Sequence, residues 1–413
     1  MSEIHQHQLS NGLRLVAEPV AGAQSLAMSF LTPAGVACEP DDQQGVAGLL
    51  AEMVCRGAGG LDAKTHSDAL DQLGVQRGTG VETIHLSLGA TMIGSKLPEA
   101  LERLLEMVRR PALEASALGP SRDLAMQALD ALEDEPQQKT FDELRKLHLP
   151  KPFDRSSLGL REHVESISID QVRQYWQRSL VPDGSVLGFA GRFDWALLKD
   201  QVEQLLGDWT GQRPEPQAQG SPLGGYRHVQ TQSTQVHIGL AYEALPELHP
   251  DSLLHRVAVA VLSGGMSGRL FTEVREKRGL CYSVFASYGG RKKYGLVLGY
   301  AGTTVPRAQQ TLDVLTAELR RLSGGIEQDE YQRAVVGMKS RLVMQGESTN
   351  ARATSIAGDQ YMYGRPRGLD ELAAQVDAVT LDRLNAFVKE NPPGPMTVVT
   401  IGPEPLQVPA DLP

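Results

Sequence analysis

Residues 97–111 read LPEALERLLEMVRRP, and residues 305–322 read VPRAQQTLDVLTAELRRL. Each stretch places a proline ahead of apolar residues with helical spacing, as expected where a helix begins. The two prolines, Pro98 and Pro306, are 208 residues apart. The pair indicates that one structural pattern occurs twice in the chain.

Two further features repeat at nearly the same distance. SISIDQVRQYWQRSL at 166–180 corresponds to DAVTLDRLNAFVKEN at 377–391, and VLGFAGRF at 186–193 corresponds to TVVTIGPE at 397–404. Ile169 and Leu381 are 212 residues apart in the first of these pairs. A period of this length is too long for a solenoid repeat and indicates a duplicated domain of roughly 200 residues.

A boundary between the two copies is expected at residues 210–225, TGQRPEPQAQGSPLGG. This stretch is rich in Pro, Gly and Gln without an apolar period, which is typical of an exposed linker. We therefore predict an N-terminal domain at 1–209 and a C-terminal domain at 226–413. Each half interleaves strand patterns with long helical patterns, which predicts an α+β fold. Each of the two homologous domains would be a mainly antiparallel sheet with helices packed on one face.

Composition limits the classes of function. The 413 residues carry a formal net charge of -10, which argues against a general nucleic-acid or anionic-membrane binder. No window approaches the ~18 uninterrupted apolar residues of a membrane span, and the N-terminus lacks a secretory signal pattern. Cys38, Cys55 and Cys281 are widely spaced and form no disulfide framework. We expect a cytoplasmic protein that does not associate with membranes.

Familiar catalytic motifs are missing. The glycines near 263–271 fit neither a P-loop nor a nucleophile elbow. The ten histidines include no pair four residues apart on a predicted helix, the spacing that lets two imidazoles bind one zinc ion. His85 and His237 lie in strand patterns, where a structural role is expected. The basic stretch GGRKKYG at 289–295 predicts a solvated hairpin tip, with a substrate or partner contact as the alternative.

The segment RLFTEVREKRGLCY at 269–282 combines a helical pattern with a following apolar strand. Gly279 is predicted to end the helix as a C-cap. Arg275 and Tyr282 lie on either side of that end, where a helix tail and a strand can bring them to one rim. A guanidinium beside a phenol can bind a peptide carbonyl. An ordinary charged helix face with a half-buried tyrosine is the alternative.

The longer segment GGMSGRLFTEVREKRGLCYSV at 264–284 resembles the second-domain signature of the pitrilysin/insulinase metallopeptidases. The similarity is greatest to the short-chain bacterial and mitochondrial-processing-peptidase-like group. LSNGLRLVAEP at 9–19, GDQYMYGRP at 358–366 and the duplicated halves fit the same family. The resemblance implies a zinc peptidase that encloses a chamber, with an inverted zinc motif, H-x-x-E-H, on a first-domain helix.

That motif would lie on GVAGLLAEMVCRG at 45–57. The resemblance then places Gly48 and Glu52 at the histidine positions and Ala51 at the general-base position. The third ligand would fall at Ala128, with Glu133 as the alternative register. A catalytic zinc ion takes three protein ligands, which Glu52 alone does not supply. We therefore expect no metal in this chain.

Arg275 and Tyr282, by contrast, match the pair that binds substrate in active relatives. The resemblance therefore implies the zinc-less subunit of a two-chain metallopeptidase, inactive alone, whose partner carries H-x-x-E-H and the zinc ion. This chain would supply part of the chamber wall and the Arg/Tyr pair for peptide substrates. The partner would be a zinc-bearing homologue in a heterodimer, or a second copy in a homodimer. The alternatives are a catalytically inactive structural or binding homologue and, least favoured, unaided hydrolysis through unconventional ligands.

Overall fold

The computed structural model describes residues 3–409 and residue 412. The strands found there are β1 His5–Gln8, β2 Arg14–Pro19, β3 Ser25–Thr32, β4 Gln76–Val81, β5 Leu86–Ile93, β6 Val186–Gly191, β7 Tyr226–Gln230, β8 Gln235–Ala244, β9 Cys281–Gly290, β10 Gly295–Thr304 and β11 Thr397–Gly402. The α-helices are α1 Val46–Met53, α2 Ala63–Asp71, α3 Leu97–Arg109, α4 Ala115–Ala131, α5 Pro136–His148, α6 Arg161–Ser166, α7 Ile169–Ser179, α8 Trp195–Leu206, α9 Ser252–Ser263, α10 Ala308–Arg321, α11 Gln328–Gly346, α12 Thr349–Tyr363, α13 Leu369–Asp377 and α14 Leu381–Glu390.

The first unit contains a six-stranded sheet in the order β1-β2-β6-β3-β5-β4. Its strands pair antiparallel except for β2 and β6, which run parallel. Alternate residues of β3, such as Leu26, Met28 and Phe30, point into one apolar core. Helices α1, α3, α7 and α8 contribute the other side of this core, which buries their apolar faces against the sheet.

The second unit contains a five-stranded sheet in the order β7-β11-β8-β10-β9. Here β7 and β11 are the parallel pair, and the other pairs are antiparallel. Val236, Ile238 and Leu240 of β8 point into a core shared with α9, α10 and α14. The predicted α+β class with two sheets is therefore confirmed.

The repeats found in the sequence correspond to matching elements. Helices α3 and α10 follow the two prolines, α7 and α14 form the second pair, and β6 and β11 the third. Ser168 begins α7 as half of a capping box with Gln171, in which each side chain binds the other residue's backbone N–H. The duplication is thus present in the secondary-structure elements as well as in the amino-acid sequence.

The opposite face of each sheet carries a helix from the other half of the sequence. Helix α12 packs on β2, β3 and β6, where Ala353, Ile356 and Ala357 lie against the strands. Helix α5 packs on β8 and β11 through Leu144 and Leu147. Both sheets are therefore covered on two faces, which adds one layer to the predicted arrangement.

Contacts accordingly divide the chain differently from the predicted boundaries 1–209 and 226–413. The first unit takes the chain up to Ala131, then Lys151–Gln219 and Gln345–Gly368. The second takes Leu132–Pro150, Gly220–Met344 and the chain from Leu369 onward. The two segments that differ, around α5 and α12, are assigned by the sheet that buries their apolar side chains.

Across residues 3–409 and 412, none of the helices combines the length and apolar character needed to span a membrane.

Candidate functional site

Helix α1 is the predicted location of the zinc motif. The residue before it adopts a left-handed backbone conformation that favours glycine. Gly45 precedes it with a φ of 111°. The Oε1 atom of Glu39 accepts hydrogen bonds from the N–H groups of Gly45 at 3.0 Å and Ala47 at 2.9 Å. Burial raises the pKa of Glu39 to about 7, although these two hydrogen bonds oppose the rise. A buried carboxyl group thus holds the start of the helix.

The packing side of α1 is fully apolar and fully buried, through Val46, Leu49, Leu50, Met53 and the following Val54. Gly48 lies on the other side. A Cβ atom at this position would have only ordinary contact, 3.7 Å from the carbonyl oxygen of Ser157. Packing therefore does not require a glycine at 48, and the helix leaves room there for a side chain.

The other positions of the predicted motif also lack free ligands. Ala51 is buried and offers only a methyl group. The carboxylate of Glu52 accepts two hydrogen bonds from the Arg56 guanidinium, at 2.7 and 3.0 Å. Ala128 is exposed on α4, a helix that packs against α1. The alternative residue, Glu133, pairs with Lys139 at 2.5 Å.

A zinc ion does not fit this set of residues. Catalytic zinc needs three nitrogen, sulfur or oxygen ligands from the protein, and two of the three predicted ligand positions, Gly48 and Ala128, have no donor atom in their side chains. Across residues 3–409 and 412, no group of three or more His, Cys, Asp or Glu side chains could hold a metal ion. The assignment of these positions to the family's ligand positions stays a prediction.

The segment that carries Arg275 is anchored by the buried Arg269. Its guanidinium binds both carboxylate oxygens of Glu330, at 2.6 and 2.7 Å, and the carbonyl oxygen of Gly325 at 2.7 Å. From Phe271–Glu276 the chain forms a π-helix rather than the predicted α-helix. Its wider turns add a residue to each hydrogen-bonded loop, as when the N–H of Lys277 donates to the carbonyl of Thr272.

This helix ends at Glu276 with Lys277 as its C-cap, so the predicted C-cap Gly279 instead lies two residues further on, just past the following turn, with a φ of 60°. Arg275 lies on the exposed side of the last turn, and its guanidinium sits 4.9 Å from the ring centre of Phe271. Its charge also acts on Cys281, whose pKa is raised to about 11 by burial and lowered in part by Arg275. The π-helix that carries Arg275 packs against β9.

Tyr282 occupies a β-bulge at the start of β9. Ser283 pairs with Gly302 and Cys281 with Thr303, so that Tyr282 is the extra residue between the two pairs. Its side chain is 46% exposed. The hydroxyl reaches past β10 and donates a hydrogen bond to Oε1 of Gln235 on β8, at 2.9 Å.

A buried pair lies on the same face of the sheet. Nδ1 of His237 and the hydroxyl of Tyr300 are 2.7 Å apart, and burial lowers the pKa of His237. Tyr300 packs against Phe141 of α5, with ring centres 5.5 Å apart. Burial raises the pKa of Tyr282, and its hydrogen bonding with Tyr300 opposes that rise. The structural role predicted for His237 agrees with this environment.

Arg275 and Tyr282 are thus both on the surface of the second unit, but each has another partner. Arg275 stacks on Phe271, and Tyr282 donates to Gln235. The sequence did not single out Gln235. The alternating pattern of QVHIGLAYEAL could have identified it, because alternation places Gln235 and His237 on one face of β8.

Comparison with known proteins places these features in a family. Residues 15–154 match the family model described as Insulinase (Peptidase family M16), and residues 166–338 match the one described as Peptidase M16 inactive domain. Together the two matches cover most of the chain, and the second includes Arg275 and Tyr282.

Similar proteins extend over nearly the full length. The chain is 25% identical to the uncharacterized zinc protease YmxG of Bacillus subtilis, covering 94% of this chain and 95% of that protein. An uncharacterized zinc protease of Streptomyces coelicolor, SCO5738, is also 25% identical, over 94% of this chain and 87% of its own length.

Solved structures show the same fold. A peptidase M16 inactive domain from Pseudomonas fluorescens superposes with a TM-score of 0.86 at 21% identity, covering 98% of this chain and 99% of that one. A protease from Helicobacter pylori superposes with a TM-score of 0.88 at 16% identity, covering 98% and 100%. By its sequence and its fold, this chain belongs to peptidase family M16, the insulinase family.

Proposed function

We propose that this chain is the zinc-less subunit of a two-chain peptidase. Its partner would be a homologous subunit that carries H-x-x-E-H and the zinc ion. This chain would contribute Arg275 and Tyr282 and a wall of the chamber that holds peptide substrates. Alone, it would not cleave peptides.

The contrast between the two units carries this proposal. In the first unit, α1 keeps its buried apolar side while Gly48, Ala51 and Ala128 offer no metal ligand. In the second unit, Arg275 and Tyr282 remain exposed to a ligand. Both side chains carry hydrogen-bond donors of the kind that bind a peptide carbonyl.

The chemistry expected of the pair is stabilisation of charge on a peptide carbonyl. The Arg275 guanidinium carries five N–H donors and a permanent positive charge, and the Tyr282 hydroxyl adds a single directional donor. Donors of this kind act most strongly on the negative charge that develops during hydrolysis. Removal of one such donor typically lowers kcat by about 10²–10³-fold.

The test is a reconstituted pair. The chain would be mixed with a family M16 homologue that carries H-x-x-E-H, and cleavage of a quenched fluorescent peptide would be measured for each chain alone and for the mixture. We expect activity in the mixture, and a large loss of kcat with Arg275→Ala or Tyr282→Phe. Lys277→Ala is the matched control, because Lys277 is an exposed cation two residues from Arg275 whose ammonium group pairs with Glu273.

Other outcomes would identify other functions. Unchanged activity of the mixture with both variants would refute a shared site. A stable homodimer that neither cleaves peptides nor binds a zinc-bearing homologue would favour a structural or binding protein. Near-stoichiometric zinc in the chain purified alone would contradict the assignment of zinc to the partner.

A further inference from the structure

The hydroxyl of Tyr282 is already occupied in the free chain. Its proton goes to Oε1 of Gln235 at 2.9 Å, on β8, two strands away in the sheet. We infer that Gln235 and Gly302 hold Tyr282 in a closed position, which a peptide must open before it can use the hydroxyl. This inference rests on the proposed function and specifies how the same site is regulated.

The chemistry of Gln235 supports this inference. Its side chain ends in a primary amide, whose oxygen is the same kind of acceptor as the carbonyl oxygen of a peptide bond. A tyrosine hydroxyl has one proton to donate, so that it serves either Gln235 or a substrate carbonyl at a given time. Gln235 therefore stands in for the ligand that the hydroxyl is proposed to bind.

Gly302 provides the surface on which the ring of Tyr282 lies. A Cβ atom at position 302 would come within 2.5 Å of the Tyr282 hydroxyl oxygen and 2.6 Å of its Cζ. The three atoms nearest to that Cβ all belong to Tyr282. The closed position therefore requires a glycine at 302.

The neighbourhood allows the ring to move while its support stays fixed. Tyr282 is half exposed and belongs to a bulge, where the ladder of β9 is interrupted. His237 and Tyr300 beside it are buried and hydrogen-bonded to each other. Opening thus needs the rotation of one exposed side chain and the loss of its hydrogen bonding with Gln235 and Tyr300.

Two substitutions should open the site by different routes. Gln235→Ala removes the acceptor, and Gly302→Ala places a methyl group where the ring lies. A hydrogen bond of this kind has a net value of about 0.5–1.5 kcal/mol, which is roughly a 2- to 10-fold change in an equilibrium constant. We expect either variant to bind a peptide about 2- to 10-fold more tightly.

The position of the ring would be measured directly by fluorine NMR of the full chain labelled with 3-fluorotyrosine. The chain contains 10 tyrosines, and Tyr282→Phe identifies the resonance of Tyr282 by its loss. We expect that resonance to move in Gln235→Ala and Gly302→Ala. Gln232→Ala, an exposed neighbour, and Gly299→Ala on the same strand, where a Cβ makes ordinary contacts, are the matched controls.

Affinity would be measured by fluorescence anisotropy with fluorescein-labelled insulin B chain as the probe. Tighter binding in both opening variants, cancelled when Tyr282→Phe is added, would support the inference. A Tyr282 resonance that stays unmoved in Gly302→Ala would overturn it, whatever the affinities. If the resonance moves but no variant, including Tyr282→Phe, changes binding of the probe, the closed position exists and the proposed role of Tyr282 in peptide binding fails.

Discussion

The buried carboxyl group of Glu39 makes a specific contribution to the pH dependence of stability. It is 5% exposed, and burial raises its pKa to about 7 from an ordinary value of 4.5. Among the described residues, its second oxygen, Oε2, has no hydrogen-bond partner, which favours the protonated form. The folded state therefore binds this proton more tightly than the unfolded state does. The resulting stability is fully present below about pH 4.5 and is lost as pH rises through 7.

Glu39→Gln should remove this dependence, because an amide can still accept the N–H of Ala47 but does not titrate. Melting temperatures of both proteins would be compared at pH 5 and pH 8. Between these two pH values, the natural chain should lose roughly 3 kcal/mol more of its free energy of unfolding than the variant loses. Glu404→Gln, at an exposed loop position, is the control. Equal pH dependence in the natural chain and Glu39→Gln would contradict the prediction.

The missing zinc ligands lead to a second prediction about single residues. Gly48 has room for a side chain, Glu52 is partly exposed, and Ala128 is exposed on the neighbouring helix. The triple variant Gly48→His, Glu52→His, Ala128→Glu would restore two imidazoles and a carboxylate. If the predicted ligand positions are right, this variant should retain about one zinc ion per chain after dialysis.

Zinc would be measured by atomic absorption on the folded protein. The control is the double variant Gly48→Ala, Glu52→His, which carries one imidazole and should retain none. A triple variant that folds normally, by circular dichroism, yet retains no more zinc than the control would show that the family register has been placed wrongly on α1 or α4.

Single residues also show where sequence reasoning ends. The missing ligand at Gly48 and the missing general base at Ala51 can be read from the sequence once the family register is known. The contacts of Tyr282 cannot be read from the sequence in this way, because Gln235 lies 47 residues earlier and Gly302 lies 20 residues later in the chain. Only strand pairing and the bulge in β9 bring these three residues together.

At the scale of elements, α12 approaches its sheet through Gly188 of β6. A Cβ atom there would lie 2.8 Å from Cβ of Ala357 and 2.9 Å from the carbonyl oxygen of Ala353. Gly188→Ala should therefore force α12 outward and destabilise the fold by about 1–3 kcal/mol. Melting temperature would be the measurement. Gly89→Ala on β5 is the control, since its nearest atom would be 3.9 Å away; equal losses in both variants would refute the specific role of Gly188.

A buried ion pair reinforces the same helix. The Arg352 guanidinium of α12 binds Glu18 of β2, with Nε donating at 2.8 Å, and also donates to the carbonyl oxygen of Arg367 at 3.2 Å. Both charged side chains are almost completely buried. Removing one partner of such a pair is strongly destabilising, because it leaves the other charge buried and unpaired.

Elements with a strong local signal were predictable from the sequence. Proline at the start of α3, the capping box of α7 and the apolar closing strands β6 and β11 are encoded within short stretches. The π-helix at Phe271–Glu276 could not be predicted, because its sequence fits an α-helix equally well. The sheet on which α5 or α12 packs was not predictable either, because an amphipathic pattern shows that a helix buries one face without showing against what.

At the scale of the whole molecule, α5 and α12 are exchanged helices: each packs on the sheet formed by the other half of the sequence. Each half alone therefore lacks one helix that covers its sheet. A fragment 1–219 would contain the first sheet without α12, leaving apolar residues such as Val16 and Val186 and the carboxylate of Glu18 uncovered. A fragment 220–413 would contain the second sheet without α5, leaving Ala241, Val399 and Ile401 uncovered. Each fragment carries the helix that the other lacks.

We therefore predict that the fragments 1–219 and 220–413 are aggregation-prone alone but assemble when co-expressed. The cut falls in the predicted linker, after Gln219, whose N–H donates to Lys151 within the first fragment. Size-exclusion chromatography and limited proteolysis should show a 1:1 complex that resists protease, whereas each separate fragment is cleaved rapidly. Ala357→Glu in the second fragment sets a carboxylate against Gly188 and should prevent assembly. Monodisperse, protease-resistant fragments in isolation would show instead that each half completes its own core, and that the exchanged helices are dispensable for folding.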